Sequence, residues 1–199
     1  MDKKLSGYNV KRLAGKDRYA TNLAILKEAG VTNEDIIVAT GTHFADSLSA
    51  SATGRPLLLV GKTLNKDQKE FLESLSGNKL YIAGGEAAVN ANVEKELKAY
   101  GTVKRLAGAS RYQTSVLVAE TFFKNPTSAV VALGTNFPDG LSGGALAYQL
   151  SAPLLLTNGQ VKNYTITSKY SNIVGIKDGY VLGGNALVTD EAKKSIFGN

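Results

Sequence analysis

Short, unbroken apolar runs recur along the chain. Ile36-Ile-Val-Ala39, Leu57-Leu-Leu-Val60 and Leu80-Tyr-Ile-Ala83 lie in the first half, and Ala129-Val-Val-Ala-Leu133, Leu154-Leu-Leu-Thr157 and Tyr180-Val-Leu182 in the second. They do not alternate apolar with polar, as a strand wetted on one face would. Continuous runs of this length suit a parallel sheet covered on both faces. Between them the apolar residues follow a helical period. Tyr112, Val116, Ala119 and Phe123 form one stripe, and Tyr19, Leu23 and Leu26 repeat it earlier. Ser110-x-x-Gln113 reads as a capping box at that helix start. Thr189-Asp190-Glu191 places a cap and two acids at the positive end of the last helix. Strands alternating with helices, with Gly at the strand ends, imply βαβ units.

The pattern occurs twice. Val10-Lys-Arg-Leu-Ala-Gly15 returns as Val103-Lys-Arg-Leu-Ala-Gly108, and Arg18-Tyr-Ala-Thr21 as Arg111-Tyr-Gln-Thr114. Gly41-Thr-His-Phe-Ala-Asp-Ser-Leu-Ser49 returns as Gly134-Thr-Asn-Phe-Pro-Asp-Gly-Leu-Ser142. All three pairs share one offset, and about 18 of 43 aligned positions are identical across 10–52 and 103–145. Pro56-Leu-Leu-Leu59 returns as Pro153-Leu-Leu-Leu156, and Gly84-Gly85 as Gly183-Gly184, with the drift in spacing that loop insertions produce. Each copy is long enough for a small α/β domain. The reading is two tandem Rossmann-like or flavodoxin-like domains with small parallel sheets covered by helices. The copies span 1–101 and 102–199, divided near Tyr100-Gly101-Thr102.

Composition narrows the chemistry. The 199 residues are 43% hydrophobic and 20% charged, which fits a folded chain. There is no Cys, so disulfides, thiolate metal sites and Cys nucleophiles are excluded. The net charge of +6 favours an acidic partner. No apolar run approaches the ~20 residues that span a bilayer, so no membrane insertion is expected. Met1-Asp-Lys-Lys leads into Leu5-Ser-Gly-Tyr8 with no signal-like apolar stretch behind it. The residues therefore leave two readings open: a cytosolic protein, or a piece whose export signal lies upstream.

Most catalytic motifs fail on context. Gly61-Lys62-Thr63 ends like a phosphate-binding loop, but Pro56 stands where its first Gly is needed. Gly140-Leu-Ser142-Gly-Gly144 contains the letters of a nucleophile elbow, yet Ser142 falls inside a predicted helix rather than at a strand end. The sole His, His43, has Asn136 as its counterpart and reads as an unrepeated loop side chain. With one His and no Cys, no metal site and no cofactor are expected. No glycine fingerprint and no aromatic–basic interleaving points to nucleic acid.

The repeated polar residues are the candidates. Asp46 and Asp139 lie in the longest matched block, and Arg18 and Arg111 sit just inside helix starts, where a cation opposes the helix dipole. The expected pairs are Arg18 with Asp46 and Arg111 with Asp139. Each pair either locks two strand-end loops or lines a polar crevice at the strand carboxyl ends, where open α/β sheets bind ligands. Lys11-Arg12 and Lys104-Arg105 are either a solvated strand edge or a basic pair used twice along one polyanion. Tyr19 and Tyr112, adjacent to the arginines, complete the candidate set.

In order, Arg-Leu-x-Gly-x-x-Arg-Tyr-x-Thr, Gly-Thr-x-Phe-x-Asp-x-Leu-Ser, Pro-Leu-Leu-Leu and Gly-Gly followed by Ala-x-Val resemble the cell wall binding repeat 2 family. The last element is Gly84-Gly-Glu-Ala-Ala-Val89 in one copy and Gly183-Gly-Asn-Ala-Leu-Val188 in the other. The resemblance covers about residues 8–199. It implies Rossmann-like, S-layer-associated modules on secreted proteins of Firmicutes that anchor non-covalently to the wall through anionic secondary polysaccharides. Such modules often accompany a separate domain such as an amidase, protease or adhesin. The implied function is a non-catalytic, cell-surface anchor, with a wall hydrolase (amidase) or its modifier as the alternative. The family's Pro-Leu-Leu-Leu motif maps onto 56–59 and 153–156. The family usually presents three copies in a compact pseudo-threefold unit, so two copies imply self-association or packing with a third.

Overall fold

The computed structural model describes residues 7–75, 77–159 and 166–198; the Met1–Ser6 start lies outside them. Copy one contributes α1 (Arg18–Glu28), β1 (Ile36–Thr40), α2 (Ala45–Ser51), β2 (Leu57–Val60), α3 (Lys66–Glu73), β3 (Lys79–Ala83) and α4 (Ala91–Leu97). Next come β4 (Thr102–Leu106), α5 (Arg111–Phe122), β5 (Ser128–Leu133), α6 (Pro138–Leu141), α7 (Gly143–Gln149), β6 (Leu154–Thr157), α8 (Ile166–Val174), β7 (Asp178–Val181) and α9 (Asp190–Phe197). All strand pairings are parallel, in two sheets of order β2-β1-β3-β4 and β6-β5-β7. The α/β architecture read from the apolar runs is the one found.

The strands are continuous apolar runs because each sheet is covered on both faces. On one face of the first sheet, Ile36, Val38, Leu58, Val60, Leu80 and Ile82 bury against Leu23 and Leu26 of α1, Phe71 and Leu72 of α3, and Val93 and Leu97 of α4. On the other face Ile37 and Ala83 pack with Ala50 of α2 and Phe122 of α5. The outer edge of β2 is satisfied by a side chain: Asn22 donates to Leu57 O at 2.8 Å and accepts from Leu59 N at 2.9 Å. In copy two, Ser115 accepts from Leu156 N at 3.1 Å and Thr167 donates to Leu156 O at 2.6 Å. These bonds tie α1 to the edge of β2, and α5 and α8 to the edge of β6, and give Leu57 O, Leu59 N, Leu156 N and Leu156 O partners there.

The helix ends follow local chemistry with one adjustment. Asn65 and Gln68 form a reciprocal capping box on α3. Ser110 accepts from Gln113 N, but Gln113 Oε1 accepts from Ala109 N at 2.8 Å, one residue before the position the capping box predicts. Thr189 caps α9 as its sequence suggests. Phe123 has extended backbone and ends α5, so the stripe outlasts the helix by one residue.

The copies share α2 as a wedge. Ala45, Leu48 and Ala52 bury against Val130, Ala132, Ala147, Leu154 and Leu156 of copy two. A Cβ at Gly140 would lie 2.8 Å from the Leu48 side chain, and one at Gly144 would lie 2.0 Å from Ser51 Oγ. The glycines of the elbow-like sequence are therefore helix-packing positions. Ser142 sits at the junction of α6 and α7, away from a strand end. The copies also share a sheet: β4, on the copy-two side of Tyr100-Gly101-Thr102, runs beside β3, pairing Leu80 with Val103 and Ile82 with Arg105.

Candidate functional site

The strand carboxyl ends of the first sheet meet the start of α5, where Asp46 and Arg111 line one cleft, while Asp139, Lys11, Arg12 and Lys104 lie outside it. Arg18 donates to the Gly41 carbonyl, and Arg111 donates to Gly134 O at 2.6 Å. Each arginine thus ties the first turn of a helix to the loop after the first strand of its own copy. The tyrosine beside it packs on the same loop: a Cβ at Gly41 would strike the Tyr19 ring, and one at Gly134 the Tyr112 ring. Only a residue without a side chain lets those rings come so close.

Neither predicted ion pair, Arg18–Asp46 or Arg111–Asp139, is among the ion pairs of the described residues. The guanidinium groups are held by strand-end carbonyls instead. The carboxylates seat against the glycine pairs: a Cβ at Gly84 would lie 2.5 Å from Asp46 Oδ2, and one at Gly183 would lie 2.9 Å from Asp139 Oδ2. Gly84 and Gly183 have φ of 112° and 101°, a conformation open to glycine and strained for other residues. The repeated Gly-Gly and the repeated Asp are two halves of one contact.

Asp46 faces across the joint. Burial raises its pKa above the usual carboxylate value, and Arg111 of copy two and His43 act in the opposite direction. These groups line a cleft of about 330 Å³ between the copies, with Gly85, Ala88 and Ser110 on its walls. Tandem duplication explains why sequence reasoning assigned Arg18 to Asp46, whereas the arginine whose charge acts on Asp46 is Arg111. An arginine at a repeated position is available to the acid of its own copy and to that of the copy before it. His43, expected to be a bland loop residue, lines the cleft beside Asp46. A second crevice, of about 460 Å³, opens within copy one between Tyr19, Thr40, Gly61, Lys62 and Asn90.

The basic pairs divide. Arg105 is committed: its guanidinium donates to Glu94 Oε2 at 2.7 and 2.9 Å, to Gly84 O at 2.8 Å and to Val89 O at 2.9 Å. That network binds β4 to α4 and to the glycine loop. Lys104 next to it is exposed. Lys11 pairs with Glu28 at 2.5 Å on the surface, where Arg12 is exposed as well. Among the described residues, no group of three or more His, Cys, Asp or Glu side chains is placed to hold a metal. No helix among them is long and apolar enough to cross a membrane.

Residues 12–94 and 105–193 each match the family described as Cell wall binding domain 2 (CWB2). The chain belongs to the CWB2 family. Its two matches coincide with the two copies of the internal repeat. Over 192 residues it is 29% identical to N-acetylmuramoyl-L-alanine amidase LytC of Bacillus subtilis, covering 94% of this chain and 38% of that protein. It is 28% identical to the amidase enhancer of the same organism, covering 98% of this chain and 27% of that one. Among solved structures it resembles Cwp8 from Clostridium difficile with a TM-score of 0.82 and 27% identity, over 98% of this chain and 35% of that one. Cwp6 from the same organism shares the fold at a TM-score of 0.76 and 23% identity, over 96% and 32%. The chain thus spans about a third of the length of the relatives it matches, and CWB2 repeats account for most of it.

Proposed function

We propose that the chain is a non-catalytic module that holds a protein on the outer surface of a Gram-positive cell by binding an anionic wall polysaccharide. The observation that carries this reading is the CWB2 match in both copies. The net charge of +6 supports an acidic ligand. The inter-copy cleft, at the strand carboxyl ends where α/β sheets bind, is the proposed site. There Arg111 and His43 meet acidic groups of the polymer, and Asp46 accepts from its hydroxyls. Exposed Lys104, and Lys11 with Arg12 at the far end of copy one, extend the basic surface along a polymer.

Retention on purified Gram-positive walls tests the proposal. Binding falls as salt rises from about 0.1 to 1 M, because screening shortens from roughly 10 to 3 Å. Arg111→Gln weakens it about tenfold. Equal retention by walls stripped of acidic polymer would overturn the anionic reading. The likeness to LytC keeps one alternative in view, a wall hydrolase. Release of amines or reducing ends from peptidoglycan by the chain alone would replace the proposal with that reading.

A further inference from the structure

The copies diverge at the carboxyl ends of their first two strands. In copy one a crevice of about 460 Å³ opens there, within the size range of small-molecule sites. The Tyr19 ring and the methyl groups of Ala87 and Ala88 give it apolar walls, and exposed Lys62 adds a cation. Its frame is fixed by bonds already made. Thr40 Oγ1 and Thr42 Oγ1 lie 2.8 Å apart. Asn90 Oδ1 accepts from Val93 N at 2.9 Å, and Asn90 Nδ2 donates to Lys62 O at 2.8 Å. The Lys62 ammonium and the Tyr19 hydroxyl have no partner among the described residues, and no acidic side chain lines the walls. The crevice is left with a charged donor and a hydroxyl above an apolar floor.

Copy two keeps the frame but fills the space. Thr189 N donates to Gly159 O at 3.1 Å, as Asn90 donates to Lys62 O. Thr40, Lys62 and Ala88 are matched by Leu133, Gly159 and Leu187. A Cβ at Gly159 would lie 1.8 Å from Leu187 O and 3.0 Å from Leu133 Cδ1, so no side chain fits where Lys62 stands. Leu133 is only 8% exposed. Packing explains copy two, because filling a void stabilises a fold. It does not explain copy one, which keeps the void open with a threonine and an alanine and sets a cation beside it.

We infer that the copy-one crevice binds one acidic sugar, a pyranose carrying a carboxylate or a phosphate, and that copy two does not. This rests on the reading of the chain as a wall-polysaccharide module and gives the polymer a second point of contact beyond the inter-copy cleft. The C–H face of the pyranose lies on the apolar walls, Lys62 meets the acid as a point charge, and Tyr19 donates to a hydroxyl. A neutral sugar leaves the ammonium without a partner and binds more weakly.

Glucose 6-phosphate and glucuronate are the probes, with glucose as the neutral comparison, in amide NMR titrations of the chain. The acidic sugars shift the amides of Gly61, Lys62 and Ala88 to saturation and leave those of Gly159 and Leu187 in place. Glucose binds at least fivefold more weakly. Ala88→Leu installs the residue that copy two already accommodates, and Lys62→Gln removes the charge. Each weakens acidic-sugar binding at least fivefold and retention on purified walls several-fold. Lys79→Gln makes the same charge change at the amino end of β3 and leaves both unchanged. Absence of a saturable shift, equal shifts in the two copies, equal binding of glucose, or titrations indifferent to both Ala88→Leu and Lys62→Gln would overturn the inference. Titrations as expected with a native chain that walls do not retain would support the crevice and sink the polymer reading instead.

Discussion

Leu48 and Leu141 occupy the same position in two copies of one repeat, yet the first is buried and the second stands in solvent. The same division separates β3, whose Ile82 is buried beside β4, from β7, whose matching Val181 is only half-buried at an edge. Sequence similarity alone assigns such positions one environment. What differs is the cover each receives: Leu48 lies against copy two, and Leu141 lies against no neighbouring copy among the described residues. A residue of this fold is core or surface according to what the adjoining copy places on it.

The largest test of that contrast is Leu48→Ala. It removes a buried side chain from the joint and costs about 2–5 kcal/mol in urea unfolding. Leu141→Ala changes the stability of the monomeric chain by less than about 0.5 kcal/mol. Equal effects would show that the two faces are equally buried. Next is Arg105→Ala, which strips Glu94 and two backbone carbonyls of their shared donor and lowers stability by about 2 kcal/mol. Its exposed neighbour Lys104→Ala stays within about 0.5 kcal/mol.

A smaller effect follows from Asp46. Its folded pKa is raised by burial, so the fold resists its ionisation. The associated stability is present below the ordinary value of 3.8 and is lost as pH rises through the raised folded value. Asp46→Asn therefore unfolds at a higher temperature than the native chain at pH 7, and the gain shrinks as pH falls toward 3.8; scanning calorimetry at several pH values reads it. Loss of stability at pH 7 would show that the attraction of Arg111's charge for the carboxylate outweighs its burial.

The smallest effect belongs to Tyr170, which occupies in copy two the place of Phe71 in copy one. Its hydroxyl is buried without a hydrogen-bond partner, and its pKa is pushed up to about 12 by burial and by Glu120. Tyr170→Phe is neutral or stabilising by up to about 1 kcal/mol at pH 7. The native chain loses stability as pH climbs from 10 toward 12, and the variant does not share that loss.

Strands and helices were legible because covered parallel strands leave unbroken apolar runs while amphipathic helices leave apolar residues at a helical period. The duplication was legible because Val-Lys-Arg-Leu-Ala-Gly and Gly-Thr-x-Phe-x-Asp recur at one spacing. What stayed hidden was which copy each element serves. Val103–Leu106 looks like the opening of copy two, but hydrogen bonding to β3 is a non-local property that no apolar pattern encodes. Arg105 looks like half of a solvated basic pair because its partner Glu94 comes before it, on the far side of the copy boundary. The glycine pair was visible as a repeat, but its purpose as a seat for Asp46 and Asp139 depends on positive φ and a close approach.

That β4 belongs to the sheet before it has a consequence for inheritance. The length of DNA that duplicates and the set of strands that folds together are out of step by one strand. Recombination that inserts or excises a whole repeat, wherever the crossover falls within it, regenerates the same strand arrangement at every internal seam. Such a gene can lengthen or shorten its array without new compensating substitutions, and only the two outermost surfaces must be solved afresh.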